Sequence, residues 1–179
     1  MTGHRGGHAV LAVPVLALDP FVRAQTARQD ASFLSADPSF SNAHVTVLGP
    51  WLEHPTPADL AAVGAVVAEE PAFEVTLRVV REFPDGLLHL TVEPASPFER
   101  LTSALAEAFP ATPPYGGRFA HPVPHLTVGH RLTGASPESM TADLAGLLPV
   151  RTAVERLDLQ WWANDDCHVR HSWAFGTGS

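Results

Sequence analysis

The sequence contains an internal repeat of roughly 80 residues, and this repeat limits the folds open to it more than any other feature. The segment "DPFVR" at Asp19 matches "SPFER" at Ser96, 77 positions later. In the same way, "HVTV" at His44–Val47 matches "HLTV" at His125–Val128, 81 positions later. A helix-like and then a strand-like segment follow each copy. The repeat predicts one structural unit that is built twice within a single domain of 179 residues.

Helix and strand signals alternate through both copies. A capping side chain followed by proline is typical of a helix start, and it occurs four times, at Asp19-Pro20, Thr56-Pro57, Ser96-Pro97 and Ser136-Pro137. Glu99 stands three residues after Ser96, which is the spacing of a capping box. Strand-like runs lie between these segments. Asp85-Gly86 indicates a hairpin turn, and "AVERLDLQWWA" with "HVRHSWAF" indicates a final hairpin.

This order predicts an α+β fold with two lobes, spanning about residues 8–83 and 86–175. We expect two facing antiparallel or mixed sheets, with the helices outside. Such a fold places equivalent residues of the two copies on either side of a shared cleft.

Composition narrows the classes of function. The net charge is −8 and the chain has no lysine, whereas a protein that follows a long nucleic acid normally has a basic surface. A small or terminal phosphate substrate is therefore favoured. Cys167 is the single cysteine, which excludes an intrachain disulfide and fits a cytoplasmic protein. No apolar run reaches the roughly 18 residues of a membrane span, so we expect no membrane partner.

Each copy of the motif sets a histidine beside a threonine. Residues two apart in a strand share a face. His44 and Thr46 therefore point to one side of their strand, and His125 and Thr127 do the same in theirs. Because the two pairs hold equivalent positions in the repeat, we expect them to face each other and to form a functional site.

A third occurrence, "HLTV" at His89–Val92, falls outside the repeated position. It aligns with the first strand near Ala12, where no such pair occurs. Strands with alternating polarity are rich in threonine and valine, so the pattern can arise without a function. We expect His89 to be a half-exposed strand histidine and keep it as a candidate for lining the substrate cleft.

The paired motifs resemble those of the 2H phosphoesterase superfamily, and within it the bacterial 2′-5′ RNA ligase and cyclic phosphodiesterase branch. The resemblance extends to "PPYGG", to "FAHPVPHLTVGH" and to "REFPDGLLHL", and it covers about His8 to Phe175. One departure is Gly49, at a position where related sequences often carry an aromatic residue.

The resemblance implies a metal-independent enzyme without a cofactor. Its substrate would carry a cyclic phosphate, as a 2′,3′-cyclic nucleotide or an RNA terminus. It implies that His125 is the base and His44 the acid in hydrolysis, and that the roles exchange in 2′-5′ ligation. An unperturbed pKa of about 6.5 lets histidine serve in either role. The hydroxyls of Thr46 and Thr127 would donate hydrogen bonds to the phosphoryl oxygens.

Other residues near the second motif have two interpretations each. Tyr115 precedes the motif and is a candidate to stack on a base or bond a phosphate, or it is an exposed turn residue. Arg118 and Arg131 flank the motif and supply charge to the cleft, or they are solvated surface residues. The adjacent pair Trp161 and Trp162 points to opposite faces of a strand, so we expect one of them in the core.

Two other functions remain open. A metal site is suggested by "HPVPH" and "CHVRH", but two prolines prevent the helix that would bring His121 and His125 together. The segment "CHVRH" also lacks the second half that a structural zinc site needs. A non-catalytic module that binds a phosphate or nucleotide would use the same cleft residues. For any of these functions we expect a monomer.

Overall fold

The computed structural model describes residues 6–176. Its strands and helices follow the order that the repeat predicts. The strands are β1 (His8–Pro14), β2 (His44–Trp51), β3 (Phe73–Glu82), β4 (Leu87–Glu93), β5 (His125–His130), β6 (Val150–Val154), β7 (Arg156–Trp162) and β8 (His168–Ala174). The helices are α1 (Asp19–Asp30), α2 (Pro57–Glu69), α3 (Ser96–Ala108) and α4 (Pro137–Asp143). The α+β class is confirmed. No helix within the described range is long and apolar enough to cross a bilayer.

Two of the four predicted helix starts are capped by side chains. The hydroxyl of Thr56 accepts a hydrogen bond from the amide of Asp59, and the Asp59 carboxylate accepts one from the amide of Thr56, which completes a capping box at α2. Ser136 and Ser139 form the same arrangement at α4. These caps satisfy amides that have no partner within the helix.

The capping box expected from Ser96 and Glu99 is wrong. Ala95 occupies the capping position of α3, and no side chain there accepts a hydrogen bond from the helix amides. Ser96 is already the first helical residue, so its hydroxyl is one position too late to cap. Pattern alone placed the start of this helix one residue beyond its true position.

The eight strands form one antiparallel sheet in the order β6-β3-β4-β5-β2-β1-β7-β8. The two sheets expected from the repeat are the two four-stranded halves of this sheet. They join where β2 pairs with β5 through Val45 and Leu126. Without this junction both strands would present unpaired amide and carbonyl groups at an open edge.

The sheet is strongly curled. In the strand order β6 and β7 lie six places apart, yet Glu155 alone separates them along the chain. Hydrogen bonds between the segment before β3 and Gly176 after β8 hold the two ends of the sheet near each other. The halves also interleave, because β3 joins β4, β5 and β6, whereas β7 and β8 join β1 and β2.

One face of the sheet carries the hydrophobic core. Val45 and Leu126 point into it and are fully buried. Helices α2 and α3 cover this face with buried side chains, among them Val63, Val67, Phe98, Leu101 and Leu105. The opposite face of β2 and β5 carries His44, Thr46, His125 and Thr127, and we call it the cleft face.

Candidate active site

The two repeated motifs lie on neighbouring strands at the centre of the sheet. Over the first four residues of β2 and of β5, buried residues alternate with residues that are partly or fully accessible. Val45 and Leu126 anchor the pairing from the core side. The polar members of both motifs therefore share one face, as the sequence predicted, and the pairing of β2 with β5 brings them together.

The strand register fixes how the four polar side chains are arranged. Continuing the antiparallel register by one residue in each direction places His44 opposite Thr127 and Thr46 opposite His125. The two histidines then lie on one diagonal of a four-cornered array, and the two threonines lie on the other. Diagonal neighbours of this kind are about 7–8 Å apart between their Cα atoms.

Both motif histidines are held by the same type of hydrogen bond. Nδ1 of His44 lies 2.8 Å from the carbonyl oxygen of Asn42, and Nδ1 of His125 lies 2.7 Å from that of Val123. A carbonyl oxygen can only accept, so Nδ1 carries the hydrogen in both rings. Nε2 of each neutral ring then holds a lone pair and is the atom that can take up a proton.

Burial lowers the pKa of both His44 and His125. The charge of His125 also lowers the pKa of His44, so protonation of one ring disfavours protonation of the other. Interaction of this kind spreads the two protonation steps over a wider range of pH. A state with one neutral and one protonated histidine is therefore favoured between the two steps.

Three aromatic rings surround His125. Phe83 meets it edge to face with ring centroids 4.9 Å apart, and His89 does so at 5.4 Å. The ring of Tyr115 lies nearly parallel to it, with centroids 6.4 Å apart. These contacts limit rotation of the imidazole and keep water from one side of it.

His44 has one large aromatic neighbour, Trp162, with ring centroids 5.1 Å apart. The indole of Trp162 packs in turn on Phe40 and donates a hydrogen bond to Oε1 of Gln160. Trp161 points the other way and packs against the core. The expectation that the two tryptophans occupy opposite faces is confirmed.

His89 is buried, with 3% of its surface exposed, so the expectation of a half-exposed histidine is wrong. The reason is the β3–β4 hairpin, which folds the ring of Phe83 onto the imidazole at a centroid distance of 3.8 Å. Across the strand pair His89 lies opposite Thr127. Burial lowers the pKa of His89, and the backbone of Leu87 offsets part of that effect.

A cavity of about 530 Å³ opens beside His125. Its wall combines the rings of Phe83, Tyr115 and Phe119 with the charged side chain of Arg118. Burial raises the pKa of Tyr115, so its hydroxyl stays protonated and can donate a hydrogen bond. Size and lining fit an aromatic group that carries a few polar atoms.

A smaller cavity of about 220 Å³ lies on the other side, against Thr127. The polar side chains Gln25, Gln29 and His130 line it, and α1 supplies the first two. Leu87 lines both cavities and separates them. The second motif thus contributes Thr127 to the smaller cavity and His125 to the larger one.

The two flanking arginines have different environments. Arg118 lines the larger cavity. Arg131 forms an ion pair with Glu82 at an N–O distance of 3.2 Å, and its side chain packs over Gly86 in the β3–β4 turn. Asp85 also lines the larger cavity, so this cavity has one charged side chain of each sign.

The residues considered for a metal site come from two segments, one before β5 and one at the start of β8. His121 lines the larger cavity, whereas His168 contacts the carboxylate of Asp166 at 3.1 Å. Cys167 is buried, and its Sγ lies 3.3 Å from the carbonyl oxygen of Ala163. Within residues 6–176, no three side chains of His, Cys, Asp or Glu are placed to hold a metal ion.

Sequence reasoning did not place Phe83 or Trp162 in the site. Trp162 follows Asp158 and Gln160 at intervals of two, and this alternation with polar residues indicates the cleft face. Phe83 stands immediately before the Pro84-Asp85-Gly86 turn, and its contact with His89 depends on how the hairpin folds back.

Residues 14–166 match the model of the 2′-5′ RNA ligase superfamily. The chain belongs to this superfamily. The match confirms the resemblance to the 2H phosphoesterases, a group whose members are generally phosphoesterases or ligases. A search of curated protein sequences found no match.

Solved structures share the fold of this superfamily member. TT0787 of Thermus thermophilus is 20% identical and aligns over 96% of this chain and 100% of its own, with a TM-score of 0.63. E. coli LigT in complex with NADP+ is 16% identical over 95% of this chain and 98% of LigT, with a TM-score of 0.58. LigT in complex with 3′-AMP is 15% identical over 94% and 97%, with a TM-score of 0.55. At these identities the similarity establishes the fold.

Proposed function

We propose that this protein is a metal-independent phosphodiesterase that hydrolyses a cyclic phosphate, in a 2′,3′-cyclic nucleotide or at an RNA terminus. The observation that carries the proposal is the matched pair His44 and His125, each with Nδ1 bonded to a carbonyl two residues earlier. Opening a cyclic phosphate needs a base on one side of the phosphorus and an acid on the other. Two histidines on one diagonal supply both.

In hydrolysis, Nε2 of His125 takes a proton from a water molecule whose oxygen attacks the phosphorus. The bond between phosphorus and one ribose oxygen breaks, and protonated His44 gives its Nε2 proton to that leaving oxygen. The product is a phosphomonoester with one free ribose hydroxyl. His125 ends protonated and His44 neutral, and exchange with solvent restores the starting state. Each proton transfer contributes roughly 10²–10⁴-fold to the rate.

The two threonines lie on the other diagonal, where the non-bridging phosphoryl oxygens would sit. The Oγ1 hydroxyls of Thr46 and Thr127 would donate hydrogen bonds to these oxygens as negative charge builds there. Donors that are already in place need little rearrangement in the transition state, so they lower the barrier.

The larger cavity is the candidate site for a nucleobase. Its volume lies within the range of about 300–1,000 Å³ that is typical of small-molecule sites. Tyr115 and Phe83 offer faces for stacking, and Arg118 offers a positive charge. LigT, which shares the fold, has been solved with 3′-AMP and with NADP+, and this supports a nucleotide substrate. A monomer in the cytoplasm remains our expectation.

Ligation is the same chemistry in reverse. A ribose hydroxyl would take the place of water, His44 would act as the base, and His125 would protonate the leaving oxygen. The family to which the chain belongs carries this reaction in its name, which supports an assay for 2′-5′ joining alongside hydrolysis.

The decisive experiment measures hydrolysis of the four 2′,3′-cyclic mononucleotides in the presence of EDTA. We expect the wild type to be active and His44→Ala and His125→Ala to lose about 10²–10⁴-fold in kcat. His171→Ala is the matched control, since His171 is an exposed histidine of β8. His89 does not serve as a control, because its ring contacts that of His125.

Turnover that survives both motif substitutions would contradict the proposal. Activity that EDTA abolishes and a metal ion restores would contradict a metal-independent mechanism. Tight nucleotide binding by a wild type without turnover would favour the non-catalytic binding module.

A further inference from the structure

We propose that Asp19 is a positioning residue that acts through the Asn42–Ala43 peptide group to orient His44 and to stabilise its protonated form. The backbone behind His125 has no such connection. The inference rests on the proposed function and deepens it, because it gives one of two otherwise equivalent histidines a charged support that the other lacks.

The Asp19 carboxylate binds the segment that leads into β2. Its Oδ1 accepts hydrogen bonds from the amide of Asn42 at 2.7 Å, the amide of Ala43 at 3.2 Å and the hydroxyl of Ser41 at 3.3 Å. The sequence pattern predicted that Asp19 caps its own helix. Leu18 holds the capping position instead, and the carboxylate reaches across to this segment. Asp19 therefore fixes the backbone immediately before His44.

One peptide group connects the carboxylate to the imidazole. The amide of Ala43 and the carbonyl of Asn42 belong to the same peptide, and they point to Asp19 and to Nδ1 of His44 respectively. Hydrogen bonds in a chain polarise one another, and a charged acceptor strengthens the effect. The negative charge on the amide side makes the carbonyl oxygen a stronger acceptor, so it stabilises the positively charged form of His44.

The second motif lacks an equivalent connection because of one residue, Pro124. The carbonyl that holds His125 belongs to the Val123–Pro124 peptide, and Pro124 has no amide hydrogen. No carboxylate can exert its polarising effect through that group. Asp85 raises the pKa of His125 through space, after burial and the bond to Val123. Both histidines thus donate from Nδ1 to a backbone carbonyl. They differ in whether the peptide group of that carbonyl is hydrogen-bonded to a carboxylate.

The groups that face His44 act in opposite directions. His125 from β5 and His8 from β1 oppose its protonation, whereas the charge of Asp19 from α1 favours it. The neighbouring ring of Trp162 from β7 carries no charge. Burial lowers the pKa of His44, and Asp19 offsets part of that effect. Removing the Asp19 charge should therefore make His44 a weaker holder of the proton.

The first test titrates the histidines of the free protein by ¹H–¹⁵N NMR. Asp19→Asn keeps the acceptor oxygen and removes the charge. Asp37→Asn is the matched control, because Asp37 also lies in the segment that leads into β2 and accepts hydrogen bonds from the amide of Ser39 and from that of Val169 in β8. We expect a lower pKa of His44 in Asp19→Asn, an unchanged pKa of His125, and neither change in Asp37→Asn.

The second test follows hydrolysis of a 2′,3′-cyclic mononucleotide against pH. A weaker hold on the proton at His44 should move the alkaline limb of the kcat profile to lower pH in Asp19→Asn. Above the pKa of His44, each pH unit by which that pKa falls lowers the protonated fraction tenfold, so kcat at pH 8 should fall by the factor that the NMR titration gives. KM should stay close to the wild-type value. Asp19→Glu, which keeps the charge, should restore part of the shift and covers the case in which Asp19→Asn does not fold.

An unchanged pKa of His44 in Asp19→Asn, or an equal change in Asp37→Asn, would overturn the inference. Movement of the acidic limb in place of the alkaline one would reject the acid role of His44, because His44 would then be the base. The titration needs no substrate, so it separates the two proposals. A wild type that hydrolyses cyclic phosphates with an unshifted His44 would reject the role of Asp19 alone, and an inactive protein with a shifted His44 would reject the reaction alone.

Discussion

The ring of Phe83 lies parallel to the buried imidazole of His89, with centroids 3.8 Å apart and an angle of 15° between the planes. This stack buries His89 beside His125. Burial lowers the pKa of His89, and the backbone of Leu87 offsets part of that effect. The fold therefore carries a buried, titratable group next to its candidate base.

His89 should make the free energy of unfolding depend on pH. Burial lowers its pKa in the folded state, whereas the unfolded chain takes up the proton near the ordinary histidine pKa of 6.5. Below that pH the unfolded state binds more protons, so stability falls as pH falls. We expect His89→Phe to remove up to about 1.4 kcal/mol of this dependence per pH unit. Urea unfolding between pH 5 and 8 measures it, and an unchanged slope would contradict the assignment.

Trp162 should control the burial of His44. Trp162→Leu opens one side of the imidazole, and because burial lowers the pKa of His44, that pKa should rise. Trp162→Phe keeps an aromatic ring and also loses the hydrogen bond to Gln160, so it controls for that loss. An NMR titration of His44 in both variants separates them. Equal values in the two variants would mean that the ring does not shield His44.

Tyr115 should bind substrate by stacking. Its ring lines the larger cavity beside His125, and stacking of a base on an aromatic residue is worth about 1–3 kcal/mol. We expect Tyr115→Ala to raise KM for a 2′,3′-cyclic mononucleotide about 5- to 150-fold and Tyr115→Phe to stay near the wild type. If Tyr115→Phe is as impaired as Tyr115→Ala, the hydroxyl and not the ring carries the interaction.

The two proline-led helix starts at Thr56 and Ser96 should respond differently to alanine. Thr56 caps α2 through its hydroxyl, so Thr56→Ala should cost about 1 kcal/mol of unfolding free energy. Ser96 makes no capping hydrogen bond, so Ser96→Ala should be within about 0.5 kcal/mol of the wild type. Chemical denaturation of the two variants in parallel gives the comparison, and equal losses would place a cap at Ser96 after all.

Local signals in the sequence were enough to predict where the helices begin and which face of each strand the motif residues share. A capping residue with proline marks a helix start within a few residues, and all four such sites begin or precede a helix. The two-residue period of a strand is equally local, so the shared face of His44 and Thr46 could be read directly. The repeat then supplied the equivalence of His44 with His125.

Long-range pairing lay beyond these signals. The run "AVERLDLQWWA" indicates one strand, but the chain changes position in the sheet at Glu155 and divides it into β6 and β7. No residue near position 155 predicts this change of strand. Its cause is the curl of the sheet, which brings strands from its two ends close together. The burial of His89 under Phe83 has the same origin, since it depends on how one hairpin folds back.

The junction of β2 and β5 has a consequence for selectivity. Neighbouring strands lie about 4.8 Å apart because their main chains are hydrogen-bonded, so the four motif side chains are spaced by the backbone itself. The spacing between the two strands thus limits the size of the group that reacts, and side-chain substitution hardly alters this spacing. The turn before β4 and the loop before β5 form the larger cavity, and there sequence change can alter the rest of the substrate. Within this architecture, sequence change in these loops can alter which substrate binds while the four motif residues keep their spacing.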